Sequence, residues 1–532
     1  MKISKVFFIL LIILINIVFL WPLFKKGFIV SDDGDLMLIR LGATIRALRD
    51  GHFPIRILDL HHGYGYPVLN FLYPLPFYIG SFIYFVSGIG LINSYKASFL
   101  LYSIIGSLGV FFLAKNITKK NLPAFVCTIF YLVFPSRIIS IFYRSAIGEL
   151  LVISLLPFIF LLLNLYRQRK DKRLLLVFSL FLFLIIISHN VLALLTLGTI
   201  IIFNFFVYKD KSIYYYVFFG ILLSSFFSLP AIFERSFTHS QNILLSNISD
   251  RLLSLKNLIN NSFMFGRQNL SRIEDLFSFG LPALLVISIS IFMFFRNKLK
   301  REEKFMIFYG LVLIFLTLNI SKVLWQTILN PLVPFIQFPW RIFSIIAIVL
   351  TMLLARILAK VNKTYFSIIF LILIVAFGFN SWQLVRYKNV DDNFYFTNQS
   401  SSTTKDEFTP IWVKNFPKSR PPESIETNNS ETKVSQTTIK TQKISFIINA
   451  PKETEVFINK HYYPGWTLFI DNKKEVVDID RERGIMKFTV AQGQHKIILL
   501  FKETILRKIS NTISLSALIF LFYGLFLGRK KI

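Results

Sequence analysis

Twelve apolar runs alternate along this chain with short polar turns, near residues 5–24, 94–114, 121–141, 145–166, 173–188, 190–208, 212–231, 276–296, 304–320, 341–361, 364–382 and 508–528. About 20 consecutive apolar residues cross the hydrocarbon core of a bilayer as a helix. The pattern therefore predicts a polytopic α-helical membrane protein. The first run, Lys5 to Phe24, is too long for a signal-peptide core, and no small-residue cleavage site follows it. It is expected to remain as an anchor.

Two stretches break the pattern. Residues 68–90 are apolar but carry Pro74, Pro76, Gly80, Gly88 and Gly90, with Pro67 just before them. Charge order decides where they lie. The basic turns Lys115–Lys120, Arg167–Arg173, Lys209–Lys211, Arg296–Lys304, Lys360–Lys363 and Arg529–Lys531 belong on the cytoplasmic side. All of them fall there only if 68–90 does not cross. The expectation is a membrane-dipping helix inside a first outer loop over 25–93, about 11 spans in residues 1–382, and both termini cytoplasmic. A second outer loop, rich in Asn and Ser, is expected over 232–275.

The other break is residues 383–507, expected as an extracytoplasmic domain. Residues 399–440 are rich in Ser, Thr, Asn and Lys and are expected to be flexible. Over 441–505 the period becomes two, as in Ile444-Ser445-Phe446-Ile447-Ile448, Glu455-Val456-Phe457-Ile458 and Trp466-Thr467-Leu468-Phe469-Ile470, with further strands at Met486–Val490 and Lys496–Leu500. Asp471–Lys474 and Gln492–Gln494 have turn chemistry. This predicts a small β-sandwich, tethered by a last span and a basic cytoplasmic tail over 508–532.

Composition agrees. Of 532 residues, 54% are hydrophobic and 17% charged, where a soluble domain has about a quarter charged. The net charge of +30 would suggest nucleic acid in a soluble protein. Here the basic residues sit in the turns, so membrane lipids are the expected partner and nucleic acid is not. The single cysteine, Cys127, lies in an apolar run and reads as a small apolar side chain. No phosphate-binding Walker loop, zinc-spaced Cys/His cluster or G-x-S-x-G elbow is present.

Candidate chemistry gathers on the outer side. Ser31-Asp32-Asp33-Gly34-Asp35 directly follows the first span, and carboxylates beside a bilayer are costly unless paired or used. Ser31 or Asp33 also suits the N-cap of a helix over Leu36–Leu48, with Asp35 in its first turn. His61 and His62 lead into a rigid Gly/Pro turn carrying Tyr64 and Tyr66. Arg144 and Glu149 are five apart and do not share a helical face. Glu149 is an acid inside an apolar run, with a salt bridge to Arg144 or Arg341 as the structural alternative. Gln337, Trp340 and Arg341 flank Pro339 at the start of a span, where Trp and Arg also serve as interfacial anchors. His189, Asn190 and Glu234 are expected to line the same cavity.

Several of these segments are familiar. DGHFPIRILDLHHGYGYPVLNFLYPLPFYIG, YRSAIGELL, SHN, LPAIFE and QFPWRIF resemble motifs of bacterial membrane proteins labelled 6-pyruvoyl-tetrahydropterin-synthase-related and of the related YfhO-like proteins. YYPGWTLFIDNKKE and VAQGQHKIILLF are similar to the C-terminal β-domain of the YfhO-like group. These families resemble C-type (GT-C) glycosyltransferases. The resemblance implies a sugar moved from a polyprenyl-phosphate donor to a glycan, lipid or polymer acceptor outside the cell. It implies Asp33 and Asp32 as catalytic carboxylates or, as in some enzymes of that type, as ligands of a divalent cation, magnesium or manganese. Arg341 and Arg40 would take the donor phosphate. Met37 stands about where family members often carry a histidine. A flippase or transporter, and a non-catalytic envelope assembly protein with the same fold, are the competing functions.

Overall fold

The computed structural model describes residues 4–241, 248–256, 258–259, 276–378 and 385–527. Parts of the expected 232–275 loop, the end of the eleventh apolar run with the two residues after it (379–384), and the terminal Arg529–Lys531 lie outside the described residues.

Each apolar run is largely helical in its described part. A helix satisfies its own backbone polar groups, which hydrocarbon cannot do. Six helices are long and apolar enough to cross a membrane: Lys5–Phe24, Leu91–Thr118, Ile147–Arg169, Asn190–Tyr208, Pro339–Val361 and Ile505–Phe526. Two bent pairs bring the number to eight. Asn121–Leu132 meets Pro135–Tyr143 at 52°, and Lys211–Leu223 meets Ser225–Phe237 at 75°. Leu75–Ser87, Arg173–Ile186, Leu281–Phe295 and Thr364–Gly378 are shorter apolar helices. Six to eight helices are thus long and apolar enough to cross, against the twelve spans expected, and four further runs form shorter apolar helices.

The two ends of the bundle differ in charge. Basic turns from distant parts of the chain meet at one end. There Arg167 and Arg356 hold Glu302, Lys360 and Arg356 hold Glu303, and Lys120 donates to Asn362. The acidic segment after the first helix lies at the other end. Helix Leu75–Ser87 starts and finishes among residues of that acidic end. The Leu75 amide bonds the Ile187 carbonyl, and the Asp392 carboxylate caps the next helix at the Leu91 and Ile92 amides (2.8 and 2.9 Å).

The C-terminal domain is two antiparallel sheets. One orders its strands Ile425–Thr427, Thr454–His461, Ile485–Val490, Asp478–Ile479. The other orders Lys433–Lys440, Lys443–Ala450, Gly493–Phe501, Trp466–Ile470, Lys473–Glu475. Alternate residues face inward, as the period-two pattern requires. Ile444, Phe446, Ile448, Val456, Ile458, Leu468, Met486, Phe488, Ile497 and Leu499 form one apolar core. The hairpin turn at Asp471–Asn472 has both residues left-handed (φ 51° and 65°), which matches the twist of the flanking strands.

Residues 399–440 are more structured than the expectation of a flexible stretch. Two strands begin there, and the rest threads along the acidic end of the bundle. The Gln399 and Ser400 carbonyls accept from the His62 and His61 amides, and Thr403 bonds the Tyr66 hydroxyl at 2.8 Å.

Candidate active site

The site is built around Glu149, at the first turn of helix Ile147–Arg169. Its carboxylate is buried and divided between two arginines from opposite directions. Arg144 Nη1 reaches Oε2 at 2.6 Å, and Arg341 Nε reaches Oε1 at 3.1 Å. His189 Nε2 lies 3.7 Å from Oε1, and the Ser140 hydroxyl donates to Oε2 at 3.4 Å. Local structure makes this reach available. Residues Ile139–Tyr143 form a π-turn, with the Arg144 amide bonded to the Ile139 carbonyl at 2.8 Å. The wider turn, followed by left-handed Ser145 (φ 52°), swings Arg144 back over Glu149. Such single π-turns recur at functional sites. Gly148 is needed for close approach, since a Cβ there would sit 2.6 Å from the Ser188 carbonyl beside His189.

Arg144 also carries the acidic loop. Its Nη2 holds Asp33 Oδ2 at 2.6 Å, and its Nε lies 3.7 Å from Asp32 Oδ2. Two backbone bonds fix the loop in register: the Asp32 amide to the Tyr143 carbonyl and the Asp33 amide to the Arg144 carbonyl, both 3.0 Å. Arg341 Nη1 donates to the Gln337 side chain (3.2 Å) and the Ile336 carbonyl (3.3 Å), and its guanidinium lies over the Phe338 ring.

Charges decide what is left for chemistry. Asp32, Asp33 and Glu149 face Arg144 and Arg341, so one carboxylate has no matching cation. Asp32 is that one: its contact is the longest and its side chain is 51% exposed, against 24% for Asp33 and 6% for Glu149. Partial burial, with the Asp33 charge beside it, raises the Asp32 pKa above the ordinary aspartate value.

The structure thus brings together Asp32, Asp33, Arg144, Glu149, His189, Gln337 and Arg341. The other candidates lie elsewhere. Asp35 bonds Lys388 and the Tyr395 hydroxyl (2.7 Å), tying the first loop to the chain after the eleventh apolar run. Arg40 is buried, donates to Ser402 through Nε and Nη2, and packs over Phe77. Asn190 holds the Phe71 carbonyl at 2.7 Å. Trp340 stacks between Phe277 and Phe338. Glu234 forms a separate buried centre with Arg507, Asn70, Tyr463 and Thr504.

His61, Tyr64 and Tyr66 pack on the C-terminal domain, with His62 beside them. His61 and His461 are buried with rings 5.3 Å apart, and neither nitrogen of His61 has a partner. Burial lowers the His61 pKa to about 4 and that of His461 well below the usual value. Tyr64 stacks on His461 at 4.9 Å, and Lys460 holds Asp59 at 2.7 Å.

Sequence reasoning missed Tyr73, which packs on His189 at 4.8 Å, and also Lys388, His461 and Arg507. No local motif marks them, because each acts on a residue far away in the chain. A divalent cation fits this site poorly. Arg144 already lies against both loop carboxylates, Glu149 is engaged by two arginines, and the described residues contain no group of three or more His, Cys, Asp or Glu side chains placed to hold a metal ion.

No curated protein matches the chain in sequence. Among solved structures it is similar to the arabinofuranosyltransferase AftD from Mycobacteria at 12% identity and TM-score 0.45, covering 73% of this chain and 27% of that one. The chain therefore spans about a quarter of AftD. It is also similar to ArnT from Cupriavidus metallidurans bound to undecaprenyl phosphate (11%, TM-score 0.45, 74% and 68% covered) and to the Archaeoglobus fulgidus oligosaccharyltransferase (11%, TM-score 0.40, 75% and 57% covered). Residues 69–387, more than half of the chain, match the family described as 6-pyruvoyl-tetrahydropterin synthase related domain, membrane protein, and the chain belongs to that family.

Proposed function

We propose that this protein is a membrane glycosyltransferase that moves a sugar from a polyprenyl-phosphate donor to a hydroxyl acceptor on the extracytoplasmic face. The observation that carries the proposal is the uncompensated, half-exposed Asp32 beside a buried arginine–glutamate–arginine cluster. The motif resemblance described above points the same way.

In the reaction, Asp32 takes the proton of the acceptor hydroxyl. The acceptor oxygen bonds to the anomeric carbon as the bond from that carbon to the phosphate oxygen breaks. The electron pair leaves with the lipid phosphate, and Arg341 stabilises its charge. Asp33 is held by Arg144 and orients the acceptor rather than serving as base. Glu149 keeps Arg144 and Arg341 apart and fixed, so that their charge is set in place before the reaction.

The test uses cells carrying the wild type, a deletion, D32N or D33N. Expected is loss of one envelope sugar modification in the deletion and in D32N, with its lipid-linked donor accumulating, while the variant protein stays folded in the membrane. Full activity of D32N would sink the proposal.

A further inference from the structure

Seven residues before Arg144, on the same bent helix, is an arginine that the acidic cluster does not reach. Arg137 follows Pro135, just past the break after Leu132, and is 1% exposed. Its Nη2 donates to the Ser103 carbonyl at 2.9 Å and the Ser103 hydroxyl at 2.7 Å. Ser103 lies near the middle of the 28-residue helix Leu91–Thr118. Nε and Nη1 of Arg137 are buried and have no partner. Arg144, Arg341 and Arg507 each meet a carboxylate. Among the described residues, none meets Arg137.

The nearby acceptors are already engaged. The Ser103 and Ser107 hydroxyls both donate to Asn16 Oδ1, at 2.6 and 3.2 Å. The Tyr131 hydroxyl donates to the Ile153 carbonyl, and its ring lies 5.6 Å from the guanidinium. The neighbouring Ser136 hydroxyl is buried and unpartnered. A guanidinium does not deprotonate in proteins, and an unpaired buried ion carries a large desolvation cost. Two free guanidinium nitrogens on a permanent cation, with a free hydroxyl on the next residue, mid-way through a helix bundle, call for an anion.

We propose that Arg137 binds a small inorganic anion of halide size, with the Ser136 hydroxyl as a further donor. The enclosure argues against a lipid phosphate, whose chain would need a route out. Seven residues at 1.5 Å rise also put Arg137 about 10 Å along the helix from the acidic cluster. The anion balances the guanidinium and holds the helix break against Leu91–Thr118. This inference is independent of the transferase proposal.

The experiment measures thermal unfolding of the purified full-length protein in detergent at constant ionic strength, with chloride, bromide or gluconate as the anion. Wild type should gain stability saturably with chloride and bromide but not gluconate. A halide at 100 times its dissociation constant shifts the folding equilibrium about 100-fold. R137M should fold and lose that dependence. A wild type indifferent to the anion, or an unchanged dependence in R137M, overturns the proposal. Protection by undecaprenyl phosphate without protection by halide also overturns it, in favour of a lipid ligand. If R137M fails to fold, bromide-soaked wild-type crystals decide the matter: an anomalous peak beside Ser103 supports the site, and no peak there overturns it.

Discussion

Two buried glutamates organise the acidic end of this molecule, and they do so differently. Glu149 joins Arg144 to Arg341, and Arg144 passes the network on to Asp33 and Asp32, which reaches solvent. Glu234 joins Arg507 to Asn70, Tyr463 and Thr504 and is sealed, with Arg507 fully buried. The first network ends with one negative charge too many and a route to that charge. The second closes on itself. A closed pair is a joint, here fastening the last helix and the C-terminal domain to the loops of the bundle. Chemistry needs a group that is both reachable and uncompensated, and of the two centres only the first supplies one.

The largest contrast expected between them is in turnover. D32N should lower the transfer rate by 10²- to 10⁴-fold, the usual worth of a general base, on the order of the effects seen for proton transfer. E234Q should leave turnover within a few-fold of wild type. Single-turnover assays with lipid-linked sugar would measure both, and equal losses would erase the distinction.

Next come the charge pairs. E234A and E149A each strand buried arginine, and each should cost about 3–5 kcal/mol in unfolding measurements. E234M combined with R507M should recover most of that loss, because it removes both members of a closed pair. E149M combined with R144M should not recover function, because Arg144 also holds Asp33.

The seam beside the Glu234 joint should respond to acid. His61 is held neutral, with its pKa lowered by burial from 6.5 to about 4. The docked form excludes protons that the released form binds, so docking is intact above pH 6.5 and weakens as pH falls toward 4. At pH 5 this group alone weakens docking about 30-fold. Hydrogen exchange over residues 59–66 and 454–461 should rise with acid in wild type and stay flat in H61F/H461F. No pH response in wild type would show that the seam is held by its other contacts.

The smallest effect concerns Asp32 again. Its pKa is raised in the fold, so between the ordinary aspartate value and the raised one the folded state binds more protons than the unfolded state. Stability then falls as pH rises through that window, and the full cost of the charge persists above it. D32N should therefore melt slightly higher than wild type at neutral pH while losing activity. The same shift moves the acid limb of the wild-type rate upward from that of an ordinary aspartate.

Most of the architecture was legible because it rests on local pattern. The apolar runs are helices, and the alternation over 444–500 is a sandwich whose inward residues are the alternating ones. Residues 399–440, expected to be flexible, have Ser and Thr residues that find partners in the first loop, as Thr403 does at Tyr66 and Ser402 at Arg40, which composition does not reveal. Seven of the sixteen candidate residues meet at one site. Asp35, Arg40 and Glu234 show why the rest did not join them: a buried charged side chain is taken by whatever partner tertiary packing puts beside it.

By itself, the sequence determined the membrane class, the position of the helices, the β-domain and the segments where charge would gather. Those follow from periodicity and from the cost of polar groups in hydrocarbon, which act over a few residues. Only the tertiary structure decided which arginine serves which carboxylate, that Asp32 is the one left over, and that Arg137 meets no carboxylate among the described residues. Asp33 and Arg144 are 111 residues apart, Glu149 and Arg341 192, and Glu234 and Arg507 273. Electrostatic pairing falls off over a few ångströms in space and is blind to distance along the chain, so folding alone could settle it.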